Sequence, residues 1–254
     1  MSRYFFSCLF CFVIVNIFAQ KAVKKDSVVA KNVPQRYGVR FGVDLYKATR
    51  GFYDKNYTGL ELVGDYRLTK KIFLAAELGN ENKTVQEDNL NFTTKGSYIK
   101  AGFDYNLHEN WLDLENMIYV GLRYGVATFS QNLNTYKIYN SSPYFGQSQV
   151  VQSDLKSDGR SAQWAEVVAG IKTRVFNNVF VGFSVRGNIL VSNAKPVGFD
   201  NLYIPGYNRT YDGSFGVGFN YTVSYLLPLY KSKPQLFRKN INKSVLPINK
   251  SSKK

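Results

Sequence analysis

Cysteine, histidine and long apolar runs are scarce in this chain of 254 residues. Its only cysteines, Cys8 and Cys11, lie within the first twenty residues, so neither a disulfide nor a thiolate metal site is expected beyond them. His108 is the single histidine, which leaves little material for histidine-based acid–base chemistry. After residue 20, no apolar run approaches the roughly 20 residues of a membrane-spanning helix. These absences exclude disulfide scaffolds and helical membrane spans from most of the sequence.

Residues 1–20 have the layout of a secretory signal. Arg3 precedes an apolar stretch from Tyr4 to Val15, and the small residue Ala19 precedes a switch to polar sequence. This layout predicts a signal peptide that is cleaved after residue 19 or 20. A single membrane anchor is the alternative, but the apolar core is short for one. A mature chain without the signal contains no cysteine.

Eight runs between Tyr37 and Tyr230 alternate an uncharged residue with a polar or charged one. One register of these runs contains no Lys, Arg, Asp or Glu, whereas the opposite register is rich in glycine and carries seven cations and seven acids. In a secreted chain, this pattern favours an apolar face toward lipid and a charged face within a cylinder. The sequence therefore predicts an all-β fold, an eight-stranded antiparallel outer-membrane β-barrel. A soluble periplasmic β-protein is the alternative. The predicted strands are 37–47, 58–68, 72–82, 96–107, 117–129, 163–175, 179–191 and 214–229.

The connections between the predicted strands alternate in length. Short links fall at 69–71, 108–116 and 177–178, whereas 83–95, 130–162 and 192–213 are long and 48–57 is intermediate. Barrels of this class have short periplasmic turns and longer outer loops, so both termini are expected in the periplasm. The resulting organisation is a signal (1–20), a polar periplasmic linker (21–36), the barrel (37–230) and a basic, disordered periplasmic tail (231–254). Residues 135–152 could instead form a hairpin above the membrane.

The charged register predicts what fills the barrel. An eight-stranded barrel has room for little more than its own side chains, and unpaired charges there are costly, so equal numbers of cations and acids predict an interlocked network that plugs the lumen. An ion path or a gate is the alternative. The predicted network comprises Arg40, Asp44, Glu61, Asp65, Arg67, Glu77, Glu81, Lys100, Asp104, Arg123, Glu166, Lys172, Arg174 and Arg186.

The excess positive charge lies at the two ends of the chain. The tail 231–254 has eight cations and no acid, and 21–36 has five cations and one acid, so the barrel region is nearly neutral. Nucleic acid is therefore not an expected partner. A solvated tail, or one that contacts anionic lipid or cell-wall polymer, fits this distribution. The last run, 214–230, alternates regularly and ends in aromatic residues, which resembles the signal read by the barrel-insertion machinery. Outer-membrane lipid completes the expected partners.

No catalytic or cofactor-binding constellation is evident. His108 lies in a predicted periplasmic turn, and the sequence shows neither a phosphate-binding glycine loop nor metal-ligand spacing, so no enzyme, metal or cofactor is predicted. Aromatic residues gather at the strand ends, with Tyr57, Trp164 and Phe215 predicted at the outer edge, as in headgroup girdles. The long outer loops are the expected place for specific contacts, because Tyr among small polar residues makes an adaptable surface. The candidate contact residues are Tyr136, Tyr139, Tyr144, Phe145, Tyr203, Tyr207 and Tyr211.

Several stretches resemble a family of secreted outer-membrane barrel proteins from Bacteroidota, especially flavobacteria, that has no assigned activity. They are YGVRFGVDL (37–45), VGDYRLTKKIFLAAELGNE (63–81), GSYIKAGFDYN (96–106), YVGLRYG (119–125) and FDNLYIPGYNRTYDG (199–213). The resemblance implies a barrel in the outer membrane and assigns no functional residues. The predicted function is a structural or surface-interaction protein that acts through its outer loops. A carrier of a small hydrophobic or lipid ligand and a membrane-embedded hydrolase are the alternatives.

Overall fold

The structure is a computed structural model that describes residues 36–108, 115–138, 144, 149–194, 201–207, 209–211 and 214–231. The predicted signal, the linker up to residue 35 and the tail beyond residue 231 lie outside the described residues. Within the described residues, no helix is both long enough and apolar enough to span a membrane.

Nine strands and one short helix follow one another in the described part of the chain. They are β1 (Arg36–Asp44), α1 (Leu45–Tyr53), β2 (Tyr57–Arg67), β3 (Ile72–Glu87), β4 (Leu90–Asn106), β5 (Met117–Lys137), β6 (Val150–Phe176), β7 (Val179–Asn193), β8 (Arg209–Tyr211) and β9 (Phe215–Lys231).

Eight of these strands close a ring in which every strand is antiparallel to its neighbours. The order is β1–β2–β3–β4–β5–β6–β7–β9, and β9 pairs back to β1, while β8 adds a short pairing at the outer end of β9. Following the paired residues from Phe41 on β1 through β2 to β7 leads to Phe215 on β9. Phe41 pairs directly with Tyr225 on β9, so the register shifts by ten residues in one turn around the barrel. Eight strands with this stagger tilt by about 40° and enclose a cylinder about 16 Å across.

The two faces of the sheet differ in chemistry as the alternation predicts. On β7, Phe183 and Val185 are 43% and 46% exposed, whereas the intervening Ser184 and Arg186 are 4% and 3% exposed. Apolar side chains therefore cover the outside of the cylinder, and charged side chains fill it. The predicted eight-stranded antiparallel barrel of the outer-membrane type is confirmed.

The first strand is shorter than the predicted 37–47, because the chain turns into α1 after Asp44. The Asp44 side chain accepts a hydrogen bond from the Tyr46 backbone N–H at 2.9 Å and so caps the helix. The helix ends where the Asp54 backbone N–H donates to the Arg50 carbonyl. This cap turns Lys47 into the barrel, where the side chain is 3% exposed.

Two of the predicted long loops are largely strand. β3 and β4 continue to a two-residue turn at Asp88 and Asn89, and they cover most of 83–95. β5 and β6 pair as far out as Lys137 and Val150, so the predicted hairpin over 135–152 is present at its base. These extensions contain scattered apolar residues, such as the buried Phe92 and Leu133 and the exposed Leu155, but no regular apolar alternation that would reveal them. The resulting outer wall, residues 80–97, 128–137 and 150–161, prolongs one side of the cylinder.

Candidate functional site: the barrel interior and its outer mouth

The lower third of the barrel is filled by an aromatic and ionic cluster around Arg40. The Arg40 guanidinium lies 4.9 Å from the Phe73 ring centroid and 5.2 Å from that of Phe180, and its Nε is 2.6 Å from Asp65. The other Asp65 carboxylate oxygen is 2.6 Å from the Lys172 ammonium. Both cations therefore neutralise one buried acid at this level.

The middle of the barrel is occupied by two glutamates held by shared cations. Arg186 binds Glu77 through two bonds of 2.6 and 3.1 Å and also reaches Glu166 at 3.1 Å. The Lys100 ammonium, which is fully buried, lies 3.2 Å from Glu166 and 3.4 Å from Glu77. Because each charge has more than one partner of opposite sign, the desolvation of every member is offset by several others.

Arg123 extends this network sideways. Its guanidinium is 2.7 Å from Asp104 and 3.6 Å from Glu77.

The upper level is built around Lys47. Its ammonium is 2.6 Å from Glu61 and 2.8 Å from Glu81, and Glu61 also accepts a hydrogen bond from the Tyr98 hydroxyl at 2.5 Å. Asn220 ties this cluster to the end of β1, because its amide donates to Glu61 at 2.8 Å and to Asp44 at 2.6 Å. Lys47 is an interior charge that was not among the predicted network residues. The signal was its position, since the uncharged register of the first run extends from Tyr37 only to Leu45 and the next position in that register is Lys47.

The structure brings almost all of the predicted charged residues into the interior. Twelve of the fourteen are buried, namely Arg40, Asp44, Glu61, Asp65, Arg67, Glu77, Glu81, Lys100, Asp104, Arg123, Glu166 and Arg186. Lys172 is half-buried and ion-paired, and Arg174 is half-buried, with its backbone N–H donating to Asn116. Cavities of about 20 and 30 Å³ lie among the lower and middle groups, each with room for a water molecule or two.

The outer mouth is closed by the mouth segment, residues 201–207, which folds into the barrel. Ile204 and Tyr207 are buried, and the Tyr207 ring meets Trp164 edge-on at 5.8 Å between centroids. The segment is also held by polar bonds, since Leu202 N–H donates to Gln131 and the Tyr203 hydroxyl donates to Glu81. The predicted outer loop 192–213 thus contains part of the interior packing.

Gly206 allows this segment to turn. Its φ of +79° is a backbone conformation that favours glycine, and an added Cβ would overlap the Tyr98 ring.

Two residues that were predicted in the outer girdle of aromatic rings, Trp164 and Tyr57, are buried inside the barrel. Trp164 is fully buried, because it shares the inward register with Glu166 and donates its indole N–H to that carboxylate at 2.7 Å. Gly125 on the neighbouring strand leaves space for the indole, which an added Cβ would overlap. Tyr57 is also buried. Phe215, by contrast, is 50% exposed, in keeping with its predicted place.

The predicted contact residues of the loops do not form one surface. Tyr144 is 95% exposed, and Tyr136 is half-buried on β5, but Tyr203 contacts Glu81 and Tyr207 is buried inside the mouth. The loop folds inward and satisfies the hydroxyls of Tyr203 and Tyr207 there, so that their role as candidate contact residues stays a prediction. Tyr139 and Phe145 lie outside the described residues, as does the side chain of Tyr211.

A different outward surface replaces them, on the outer wall. Its side chains are mostly uncharged and hydrogen-bonded across strands, as in Asn80 to Ser97 at 2.8 Å and Asn134 to Asn91 at 3.0 Å. Thr84 and Thr93 make a further cross-strand bond at 3.0 Å. These ordered amides and hydroxyls present a rigid polar face beyond the apolar part of the cylinder.

A family model described as "Domain of unknown function (DUF6048)" matches residues 1–232. The chain belongs to the DUF6048 family. No curated protein matches this member of the family. Among the described residues, no group of three or more metal-ligating side chains is placed to hold a metal ion.

Solved structures that align with the chain include those of two bacterial proteins. Ail, the attachment invasion locus protein of Yersinia pestis, aligns over 76% of this DUF6048 chain and 99% of its own, with 14% identity and a TM-score of 0.38. Its complex with the heparin analogue sucrose octasulfate aligns over 75% and 97%, with 15% identity and a TM-score of 0.37. Neisserial surface protein A (NspA) aligns over 76% and 97%, with 11% identity and a TM-score of 0.35.

The end of the barrel opposite the mouth is tied together by Arg36 and Glu115. The Arg36 backbone and side chain donate three hydrogen bonds to the Glu115 carboxylate, at 2.9, 2.9 and 2.6 Å. Burial raises the pKa of Glu115. The hydrogen bonds from Arg36 and the charges of Arg36 and Arg67 lower the pKa by more than burial raises it, so the pKa lies below its ordinary 4.5. A lowered carboxyl pKa stabilises the fold at pH values above the ordinary pKa, and the contribution disappears as the pH falls through the lowered value.

We expect Glu115→Gln to reduce the free energy of unfolding in this DUF6048 member by about 1–2 kcal/mol at neutral pH, because charged hydrogen bonds become neutral ones. The difference from the wild type should shrink at acidic pH, as the pH falls below 4.5 and through the lowered pKa at which the native carboxyl also protonates. Urea unfolding in detergent micelles at neutral and at acidic pH measures it. An equal loss at both pH values would show that the carboxylate charge does not matter.

Proposed function

We propose that this protein is an outer-membrane β-barrel that acts at the cell surface as a sealed interaction protein, and not as a channel or an enzyme. The observation that carries the proposal is the combination of a lumen filled at every level by paired charges with an ordered polar wall beyond the apolar part of the cylinder. A filled lumen disfavours transport through the barrel, whereas a rigid projecting wall offers a surface for contacts.

The proposed membrane location is supported by the outside of the cylinder. Large apolar side chains such as Leu78, Ile99 and Leu122 are 48–52% exposed, and comparable residues surround the ring. A soluble monomer rarely exposes so large a contiguous apolar surface. The location should be tested by flotation with outer membranes, resistance to carbonate extraction and a gel mobility that changes on boiling. Release of the protein into the soluble fraction would contradict it.

The filled lumen predicts that the barrel does not conduct ions. The cavities among the lower and middle charges have room for single water molecules but not for a continuous file of ions. Purified protein reconstituted into planar bilayers should therefore show no steady conductance. Reproducible open channels from a homogeneous sample would contradict the filled lumen, and a large-pore porin reconstituted in parallel is the positive control.

The proposed contact surface is the outer wall together with Tyr144. Amides and hydroxyls fixed by cross-strand bonds can hydrogen-bond to a partner with little further loss of conformational entropy. Chemical crosslinking on intact cells should capture a surface partner with the wild type and lose it when the β3–β4 hairpin is shortened beyond Asn82. The matched control leaves the outer wall intact and replaces the exposed His108, at the opposite end of the barrel, by Gln.

The finer parts of the proposal concern origin and biogenesis. The resemblance to barrels of Bacteroidota suggests an outer membrane of that phylum, and the alternating β9 suits recognition by the insertion machinery. Arg36 and Lys231 pair at one end of the ring, which agrees with two periplasmic termini. In this proposal, the basic tail contacts anionic lipid or cell-wall polymer.

The two alternative functions differ in their support. A lipid-binding role is favoured by the cavity at the β1–β9 seam, which is treated next. A hydrolase has no such support, since His108, the single histidine of the chain, is exposed at the end opposite the mouth.

A further inference from the structure

The wall of the barrel is incomplete where its first and last strands meet. β1 pairs with β9 as far outward as Asp44 with Thr222, and β8 resumes pairing only at Val217. In the described part of the chain, no strand pairs with this edge of β9 from Gly218 to Tyr221. α1 covers the gap instead, with the Tyr46 and Phe219 rings 4.8 Å apart.

The gap lies within the lipid-facing part of the cylinder. The outward residues of β9 on either side of it, Val217 and Tyr221, are 41% and 47% exposed. β7 runs alongside with the equally apolar Phe183 and Val185. An opening at this level faces hydrocarbon and the adjoining headgroups, not the water above the barrel.

A cavity of about 80 Å³ opens at this gap, larger than the two cavities lower in the barrel. Its lining combines the apolar side chains of Val217 and Phe219 with the polar side chains of Lys47, Arg50, Tyr57, Glu81 and Tyr203. The Glu81 carboxylate is paired with the Lys47 ammonium at 2.8 Å, which leaves Arg50 as the cation available to a ligand. The volume has room for several water molecules and is comparable with one small polar group. A ligand that suits both kinds of side chain is amphipathic.

Arg50 is the cation best placed to select that ligand. Its guanidinium stands 4.2 Å from the Tyr57 ring centroid and 3.0 Å from Asp54, and its side chain is 21% exposed, whereas Lys47 beside it is already held by two buried glutamates. A planar guanidinium binds phosphate through two parallel hydrogen bonds, and a half-exposed aspartate is a partner that phosphate can replace.

The outer surface of α1 supplies a matching apolar contact. Leu45 is 38% exposed and Phe52 is 89% exposed, so one side of this short helix is apolar while Lys47 and Arg50 point the other way. Helices with this division lie at the boundary between headgroups and acyl chains.

We propose that the β1–β9 seam is a lateral lipid site, in which Arg50 binds the phosphate of a phospholipid while the acyl chains remain outside on Val217, Phe219 and α1. The inference rests on the proposed membrane location for the source of the lipid, and it adds a ligand class and a site to that proposal.

Native mass spectrometry of the purified full barrel in mild detergent tests the site, with dioleoyl phosphatidylglycerol as the probe. We expect one bound lipid per barrel in the wild type. Arg50→Gln should weaken its affinity about ten- to hundredfold, since a hydrogen-bonded charge pair is lost. Arg50→Lys keeps the charge but loses the two parallel hydrogen bonds, so it should weaken the affinity less than Arg50→Gln does. Gly218→Leu, which places a side chain at the cavity and leaves Arg50 in the chain, should also abolish binding. Lys156→Gln removes an exposed cation that is paired with Asp158 as Arg50 is with Asp54, and it should have no effect.

Two competitors show whether the phosphate, the acyl chains or both are needed for binding. Dioleoylglycerol lacks the phosphate and should not compete, and inorganic phosphate lacks the chains and should compete only weakly. Unchanged binding in both Arg50→Gln and Gly218→Leu, or equal competition by dioleoylglycerol, would overturn the site, and equal competition by inorganic phosphate would overturn its assignment to a lipid. A barrel that floats with membranes but binds no phosphatidylglycerol refutes the seam site alone, whereas failure to float refutes the membrane location.

Discussion

Replacing Arg186 by Met is expected to lower the free energy of unfolding by about 3–5 kcal/mol, because it removes one member of a buried ion network and leaves opposite charges without their main partner. Arg186 makes the only two-bond contact to Glu77 among the described ion pairs and also reaches Glu166. Lys100 remains near both glutamates but at 3.2 Å or more, so it cannot restore those bonds. Urea unfolding of barrels folded in lipid vesicles measures the loss.

The second variant of this test removes the acid as well. Arg186→Met with Glu77→Gln should recover a large part of the loss, because the uncompensated negative charge disappears together with its partner. Lys156→Met breaks an exposed pair and should not measurably change the stability. If Arg186→Met is as stable as the wild type, or if the double variant is no better than the single one, the network does not hold the interior together.

Truncation of Trp164 to Ala should also destabilise the barrel by about 3–5 kcal/mol, and it should loosen the mouth. The indole is fully buried beneath Tyr207, and its N–H is bound to Glu166, so the variant leaves a cavity and removes one hydrogen bond from a carboxylate that Arg186 and Lys100 still contact. Trp164→Phe keeps most of the volume and loses only the hydrogen bond, so about 1–3 kcal/mol is expected.

Hydrogen exchange of the mouth segment separates a loosened mouth from general destabilisation. In Trp164→Ala, the amides of Leu202 and Gly206, which donate to Gln131 and Glu81, should exchange much faster than those in the middle of β5. Uniformly faster exchange along the chain would contradict a specific role of Trp164 at the mouth.

The barrel and its charged interior could be predicted because lipid and lumen impose opposite chemistry on alternate residues. The alternation is visible in four consecutive residues of β7, Phe183 to Arg186. Arg186 faces inward for the same reason that Phe183 faces outward, and neither requires knowledge of the loops. The register of a strand in such a barrel is therefore readable from its sequence.

Three features could not be predicted in the same way. The outer wall buries a few apolar residues such as Phe92 and Leu133 but has no regular apolar alternation, so the pattern around Thr84 and Asn134 does not distinguish strand from loop. α1 is nine residues long and follows β1 without a break, so only its capping Asp44 and the misplaced Lys47 mark its start. The mouth segment has no period at all, because its burial depends on the width of the barrel and on Trp164 below it.

The orientation of the sheet is tested most directly by accessibility measurements along β7 in lipid vesicles. Single cysteines at positions 181 to 191, in a chain without Cys8 and Cys11, can carry nitroxide labels whose collisions with oxygen and with a water-soluble nickel complex are compared. The account predicts an alternation of period two, in which labels at Phe183 and Val185 collide with oxygen and not with nickel, while labels at Ser184 and Asn188 are shielded from both. Nickel collisions at Phe183 and Val185 equal to those of a label at the exposed Lys156 would contradict it.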